Sequence, residues 1–440
     1  MRLRLSGLLV VLLVVLSATS CGRSEQHAMG VRVWHWMTDR EEAFAELATR
    51  YQAQQGIPVR FELYAPSDLY VQKIRAAAQT GGLPDIFGVL GEMRDFASFI
   101  RAGHLLMLDA AMAQSVTPQG DSWRSTFFPI ALAMNTFDDD NSYGVPPGMY
   151  GVPVDVMNIQ MFYNKRLLKE LGLDPEHPPA TWGEFLGVGQ LAKEHGVLGL
   201  VSGWAELWLL DCFATDYAIH VMGQKQVEAT FKGKIPYTDP RWLEVLGVFE
   251  QLRQSGLLAE GVVTMVNKRA EQLFANERAV FAFNGTWGVN VYRGMNPNLD
   301  YGLMMPPAIR KDRPMVTWGG AGSSFMVNAK SPQRDAAVAF LQWLTAQEQQ
   351  RFLLETTHNI PANQLAATDL PPALAAFADD MRAVMHPRLF DVQERSTVIE
   401  AFDKGIQSIL IGEATPLQVA QAVQAVKQRE EARQASDVSR

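Results

Sequence analysis

Apolar residues along this 440-residue chain recur in two alternating patterns: short runs of strand length, and longer stretches with helical spacing. Residues 31–36 read as a first strand. Phe44, Leu47, Ala48 and Tyr51 then give a helix its apolar face, Thr38-Asp39-Arg40-Glu41 supplies a capping box at its start, and Gly56-Ile57-Pro58 stops it. A second strand at 59–64 follows, then a helix capped by Ser67 and running to Thr80, then a third strand at 84–89. Alternation of this kind predicts parallel βαβ units with right-handed crossovers. The pattern resumes at 156–163, where Asn164-Lys165 opens a helix ended by Gly172; a helix capped by Thr181 and a strand at 198–201 come next. Residues 279–283 form an apolar run suited to a strand buried on both faces. Asn284-Gly285-Thr286 turns from it into a further helix, with Trp287 in the first turn. Trp318-Gly319-Gly320-Ala321 reads as a glycine-rich turn before a strand at 324–327. Helices are predicted at 333–344, 346–355, 397–411 and 416–432, while 105–140 carries little pattern.

The length accommodates two domains, each with its own core. A net charge of −8, with no basic stripe interleaved with aromatics, speaks against a nucleic-acid partner. The N-terminus changes the picture more. Arg2 and Arg4 precede an apolar run at 5–16 that is too short to span a bilayer, and Ser17, Ala18, Thr19 and Ser20 lead to Cys21. Residues 1–20 are expected to be an export signal. Cys21 resembles the acceptor of a bacterial lipoprotein box, with Ala18 where leucine is more usual. Lipidation of Cys21 would make 21–30 a tether to the membrane. Cys212, in an apolar segment, is then left without a disulfide partner and is expected to be a buried thiol.

Open α/β sheets bind ligands beyond the carboxyl ends of their strands. Those positions hold Trp36 and Asp39, then Glu92 and Arg94, then Trp204 and Glu206, then Trp287, and finally Trp318 and Gly319. Flat aromatic faces suit the C–H surfaces of sugar rings, and carboxylates suit their hydroxyls. Other chemistries are excluded. The Asp138-Asp139-Asp140 run has Tyr143 where a calcium hand needs glycine and Met149 where it needs its bidentate glutamate. Gly319–Phe325 lacks the spacing of a phosphate-cradling loop, and the chain holds no Gly-x-Ser-x-Gly, His-Glu-x-x-His or paired cysteine ligands.

Several segments resemble the extracellular solute-binding proteins that feed ABC sugar importers, the group containing maltose-binding protein. Phe274 to Trp287 resembles their "F-x-x-G-x-A-A-M-x-x-x-G-x-W" signature, with Asn276 in place of the glycine. Tyr163-Asn164-Lys165 and Thr181-Trp182-Gly183-Glu184-Phe185 match a second passage; Ala339-Phe340-Leu341-Gln342-Trp343-Leu344-Thr345 and Asn359-Ile360-Pro361-Ala362 match two more. The resemblance implies an α/β, two-lobed type II periplasmic-binding-protein fold. Its three interlobe crossings would lie near 152–156, 301–306 and 329–333. The N-lobe would be 31–152 plus 304–329, and the C-lobe 156–300 plus 333–432. It further implies a monomeric, non-enzymatic receptor outside the cytoplasmic membrane, without cofactor or metal, that passes a sugar-like ligand to importer transmembrane subunits. Trp287 would stack on a sugar ring, aided by Trp36, Asp39, Glu92, Trp204, Trp318 and Gly319, while Trp182 would be a packed helix-start residue. The rival expectation is an exported glycosidase using a carboxylate pair drawn from Asp39, Glu92 and Glu206.

Overall fold

The computed structural model describes residues 30–90, 93–139, 141, 143–379, 384–390 and 392–438. The expected export signal, Cys21, nearly all of the expected tether and Glu92 lie outside the described residues. In chain order the strands are β1 (Val31–His35), β2 (Val59–Leu63), β3 (Ile86–Phe87), β4 (Thr136–Phe137), β5 (Gly148–Met149), β6 (Val152–Asn164), β7 (Leu198–Val201), β8 (Ala279–Gly285), β9 (Tyr301–Met304), β10 (Thr317–Val327), β11 (Ile360–Pro361) and β12 (Val384–Met385).

β1 lies between β2 and β3 and is parallel to both, as the βαβ alternation requires. The main sheet runs β2-β1-β3-β10-β6-β8-β7. β6 explains why one sheet path serves two lobes. All 13 of its residues are buried. Val152–Asn158 pairs with β10, Ile159–Tyr163 pairs with β8 on one edge, and Met161–Asn164 pairs with β9 on the other. One long strand therefore enters both cores. On the N-lobe side Val31, Phe44, Leu47 and Tyr51 pack together, and on the C-lobe side Phe213, Leu246, Phe249 and Phe281 do.

Local chemistry sets several boundaries as expected. Thr181 caps the helix Trp182–Glu194 in a reciprocal capping box with Glu184. Asn164 accepts from the Leu167 amide, and Gly56 ends the helix Glu41–Gln55 at φ 71°. Trp182 is partly buried against Phe185 and Tyr217, as a helix-start residue facing the core should be. Cys212 is a buried free thiol.

Three expectations are corrected. Residues 305–316 stay with the C-lobe: the Tyr217 hydroxyl donates to Pro307 O at 3.0 Å, and Arg310 Nε donates to Glu244 at 2.8 Å. The return crossing is β10 itself, not 301–306. The helices Arg334–Leu344 and Gln347–Thr357 belong to the N-lobe, because Phe340 and Trp343 pack on Tyr51 with ring centroids 4.9 and 5.1 Å apart. The last crossing therefore follows β11, where Phe377 reaches Phe162 at 5.5 Å, and not 329–333. Finally, Trp318–Ala321 is extended strand and not a turn. A Cβ on Gly319 would sit 2.5 Å from Met157 O, and Gly320 holds φ +143° with Met134 Sδ against it. Gly319 makes room for the neighbouring strand β6, and Gly320 for the Met134 side chain at the end of the helix Pro129–Ala133.

Candidate functional site

The carboxyl ends of β1 and β8 meet across the space between the lobes. Asn290, in the helix Gly288–Met295 that follows β8, donates from Nδ2 to the Asp39 carbonyl at 3.0 Å. One turn further along, Arg293 donates to Thr356 O at 3.0 Å.

On the C-lobe face, Gly285 ends β8 and carries the Trp287 indole directly against it. A Cβ at Gly285 would lie 1.9 Å from the ring, so any side chain there would displace it. Trp287 is half-buried. Trp208, 36% exposed, stands beside it with ring centroids 5.9 Å apart and planes inclined by 50°. The two rings form an open aromatic corner. Its edge is polar: Glu206 accepts from the Asn267 amide at 2.8 Å and from the Trp208 indole at 3.3 Å. Behind the corner, Asn267 Nδ2 and Asn284 Nδ2 both donate to Glu271 Oε1, at 2.9 and 3.3 Å. Burial pushes the Glu271 carboxyl up to about 7, although Asn284, Lys268 and the Trp287 indole all favour its charged form. Asn267 Oδ1 and Thr286 Oγ1 are buried without a hydrogen-bond partner among the described residues, which leaves unused bonding capacity in this wall.

On the N-lobe face Trp36 is likewise seated on a glycine. A Cβ at Gly88 would lie 2.3 Å from its ring, and Tyr70 packs on it with centroids 5.1 Å apart. The Tyr70 hydroxyl accepts from Gly88 N at 2.8 Å and donates to Gly88 O at 2.9 Å, pinning the end of β3.

Between these faces lies a buried charge cluster. Arg40 donates to Asp155 of β6 at 2.7 Å and to Asp39 at 3.3 Å. Asp155 also accepts from Ser323 N of β10 at 2.7 Å, and Asp39 accepts from Asn359 at 2.8 Å. Burial would lower the pKa of the Arg40 guanidinium, but Asp155 and Asp39 reverse that and hold it above its ordinary value. His35 is pushed down to about 4 by its burial and by Arg40, and is neutral at pH 7. These contacts explain why the helix Glu41–Gln55 has no side-chain cap. The expected box of Thr38 with Glu41 does not form, because the helix begins at Glu41 with Arg40 at its N-cap, and the intervening Asp39 and Arg40 are held by Asn359 and Asp155.

The structure thus brings Trp36, Asp39 and Trp287 to the facing strand ends, with the Asp39 carboxylate already held by two partners. It removes Trp204. That ring is 0% exposed, packed on Phe213 and Phe249 at 5.3 and 6.3 Å, and belongs to the C-lobe core. Gly203 closes down on Asn267, whose Cα a Cβ would meet at 2.5 Å, and the turn carries Trp204 inward. Gly319 is buried inside the sheet and lines no cleft. Trp318 lies 4.0 Å from His386, with its indole N–H buried and no partner for it among the described residues. Trp208, Asn267 and Glu271 escaped the sequence reading, and Glu206 entered it as a strand-end carboxylate beside Trp204 and as a possible catalytic carboxylate. A signal for Trp208 existed. Trp208, Asp211 and Thr215 share one stripe of the helix Leu207–Met222, off its buried face.

A shallow depression of about 660 Å³ lies elsewhere, between Ala180–Gly183 and Ala308–Pro314. Its arginines are already engaged, Arg310 by Glu244 and Arg313 by the carbonyls of Ile219 and His220. Among the described residues, no group of three or more His, Cys, Asp or Glu side chains could hold a metal ion, and no helix is long and apolar enough to cross a membrane.

Residues 35–351 match the family model described as bacterial extracellular solute-binding protein. An uncharacterised ABC transporter extracellular-binding protein of Pyrococcus horikoshii is 23% identical over 418 residues, covering 92% of this chain and 88% of the relative. The multiple sugar-binding protein of Streptococcus mutans is 20% identical over 347 residues, or 77% of this chain and 76% of the relative. Among solved structures, a chitin oligosaccharide binding protein superposes with a TM-score of 0.76 at 22% identity, covering 91% of this chain and 98% of the other.

Proposed function

We propose, from the fact that this chain belongs to the bacterial extracellular solute-binding proteins, that it captures a carbohydrate between its lobes and delivers it to an ABC importer. The observation that carries this reading is the aromatic corner of Trp287 and Trp208, fringed by Glu206 and Asn267, on the lobe face from which Asn290 reaches across to the Asp39 carbonyl. Indole faces bind the apolar C–H surface of a sugar, while the carboxylate and amide bind its hydroxyls. Relatives named for multiple sugars and for chitin oligosaccharide support the same ligand class. The mature chain would act as a monomer, eluting at the mass of one chain in size-exclusion chromatography, and would be held at the outer face of the membrane by lipid on Cys21.

A thermal-shift screen over sugars and polyols tests the ligand class. A ligand that binds only the folded state raises the melting temperature by mass action. At least one carbohydrate should do so, and a library-wide absence of shifts would overturn the reading. Chromogenic glycosides should show no turnover. Hydrolysis dependent on Glu206 would favour the glycosidase instead, although the Glu206 carboxylate is already bound to Asn267 N and the Trp208 indole.

A further inference from the structure

We propose that Asn290 and Arg293 form a clasp that holds the two lobes together in the free protein and thereby sets its affinity for every sugar it captures, acting as positioning residues through lobe closure. Both lie on the helix Gly288–Met295, three residues apart and therefore on one face. The opposite face is fixed to the C-lobe, where Tyr292 packs on Phe162 and Phe274 with ring centroids 5.0 and 4.9 Å apart. From the outer face Asn290 Nδ2 donates to the Asp39 carbonyl and Arg293 Nη2 to Thr356 O, each at 3.0 Å. Both acceptors belong to the N-lobe. Arg293 also donates to Asn290 Oδ1 at 3.4 Å, which joins the two contacts into one unit.

Each end of the clasp is anchored. Trp287 is the N-cap of the helix, and its carbonyl accepts from Asn290 N at 3.1 Å, so the aromatic corner and the clasp ride on the same turn. On the N-lobe side Asp39 is held by Asn359 and by Arg40, which itself bonds Asp155 of β6. A hydrogen bond of 3.0 Å is gone once its atoms part by roughly 0.6 Å more. A rotation that carries the helix away from Asp39 therefore releases both contacts. All donors and acceptors are groups of the chain, so no sugar is needed to complete the clasp, and it acts on the free protein. Where the binding-competent arrangement is only partly populated, apparent affinity falls with its population, by the same factor for every ligand. The inference rests on the carbohydrate-capture reading, but the first arm of its test uses no ligand, so the two can fail separately.

Small-angle scattering of the ligand-free wild type and of Asn290→Ala/Arg293→Met is the first arm. The variant should have the larger radius of gyration. Arg310→Met, which removes a contact to Glu244 within the C-lobe, should match the wild type. The second arm is calorimetric titration with two sugars of different length that stabilise the protein in the thermal-shift screen. The double variant should bind each more weakly by roughly five- to thirty-fold, the scale of two net hydrogen bonds. The factor should be the same for both sugars, whereas the loss of a direct ligand contact would weigh differently on each. Should the double variant fail to fold, Arg293→Met, at an exposed position, carries both arms with a smaller effect. An unchanged ligand-free radius, a tighter affinity, or losses that differ between the two sugars overturns the proposal. If no sugar binds, the capture reading falls and the scattering arm still decides the clasp.

Discussion

Arg40→Met tests whether the buried charge cluster fastens the lobes at their crossings. The Arg40 and Asp155 side chains are 5% and 4% exposed, so water screens neither. Removing the guanidinium leaves the Asp155 carboxylate buried with Ser323 N, and Asp39 with Asn359, as their remaining hydrogen-bond donors. Breaking a buried pair from one side costs about 3–5 kcal/mol. At about 2–4 °C per kcal/mol for a lobe-sized unit, the melting temperature should fall by roughly 6–20 °C. The pair itself is worth far less than this, because an apolar replacement of both partners avoids the stranded charge. Arg40→Met/Asp155→Leu should therefore melt well above the temperature expected from adding its two single variants. Calorimetric melts of the four proteins give the cycle. A drop below about 2 °C in Arg40→Met, where the scale above demands several times more, or strict additivity in the double variant, would refute the argument.

Three further outcomes follow from named contacts. Trp204→Ala should cost about 3–5 kcal/mol of stability, measured by denaturant unfolding, because it empties a fully buried site. Glu271 should make stability fall with pH. Its folded value, about 7, lies above the unfolded 4.5, so its contribution is complete below 4.5 and is lost as pH rises through 7. The span corresponds to at most about 3 kcal/mol, and melts of Glu271→Gln should lack that slope. Cys21→Ser should move the protein from the membrane pellet to the soluble fraction, and an unchanged pellet would exclude the lipid anchor.

What the sequence revealed was what neighbours along the chain decide. β7 falls at 198–201 as its apolar run indicates, and Thr181 caps its helix because the capping box is a contact three residues long. What it hid depends on distant partners. The helices Arg334–Leu344 and Gln347–Thr357 have clear apolar faces, but only Tyr51, nearly three hundred residues earlier, shows to which lobe they belong. Gly319 and Gly320 look like a turn until β6 is placed against them. The two tryptophans at 204 and 208 illustrate the same limit within the site. Composition and strand-end topology favoured the first, while the helical phase of Leu207–Met222 turns the second outward. The placement of Trp287 at the end of β8 was legible because glycine, turn and ring sit together in one short segment.

Calorimetric titration of the strongest stabilising sugar into wild type and Trp287→Ala tests the central claim most directly. The half-buried ring should contribute about 2 kcal/mol or more to binding, some thirty-fold in affinity. The variant should also melt closer to wild type than Trp204→Ala does. Unchanged affinity in Trp287→Ala, with stability lost on the scale of a core tryptophan, would contradict the account and make Trp287 a part of the core.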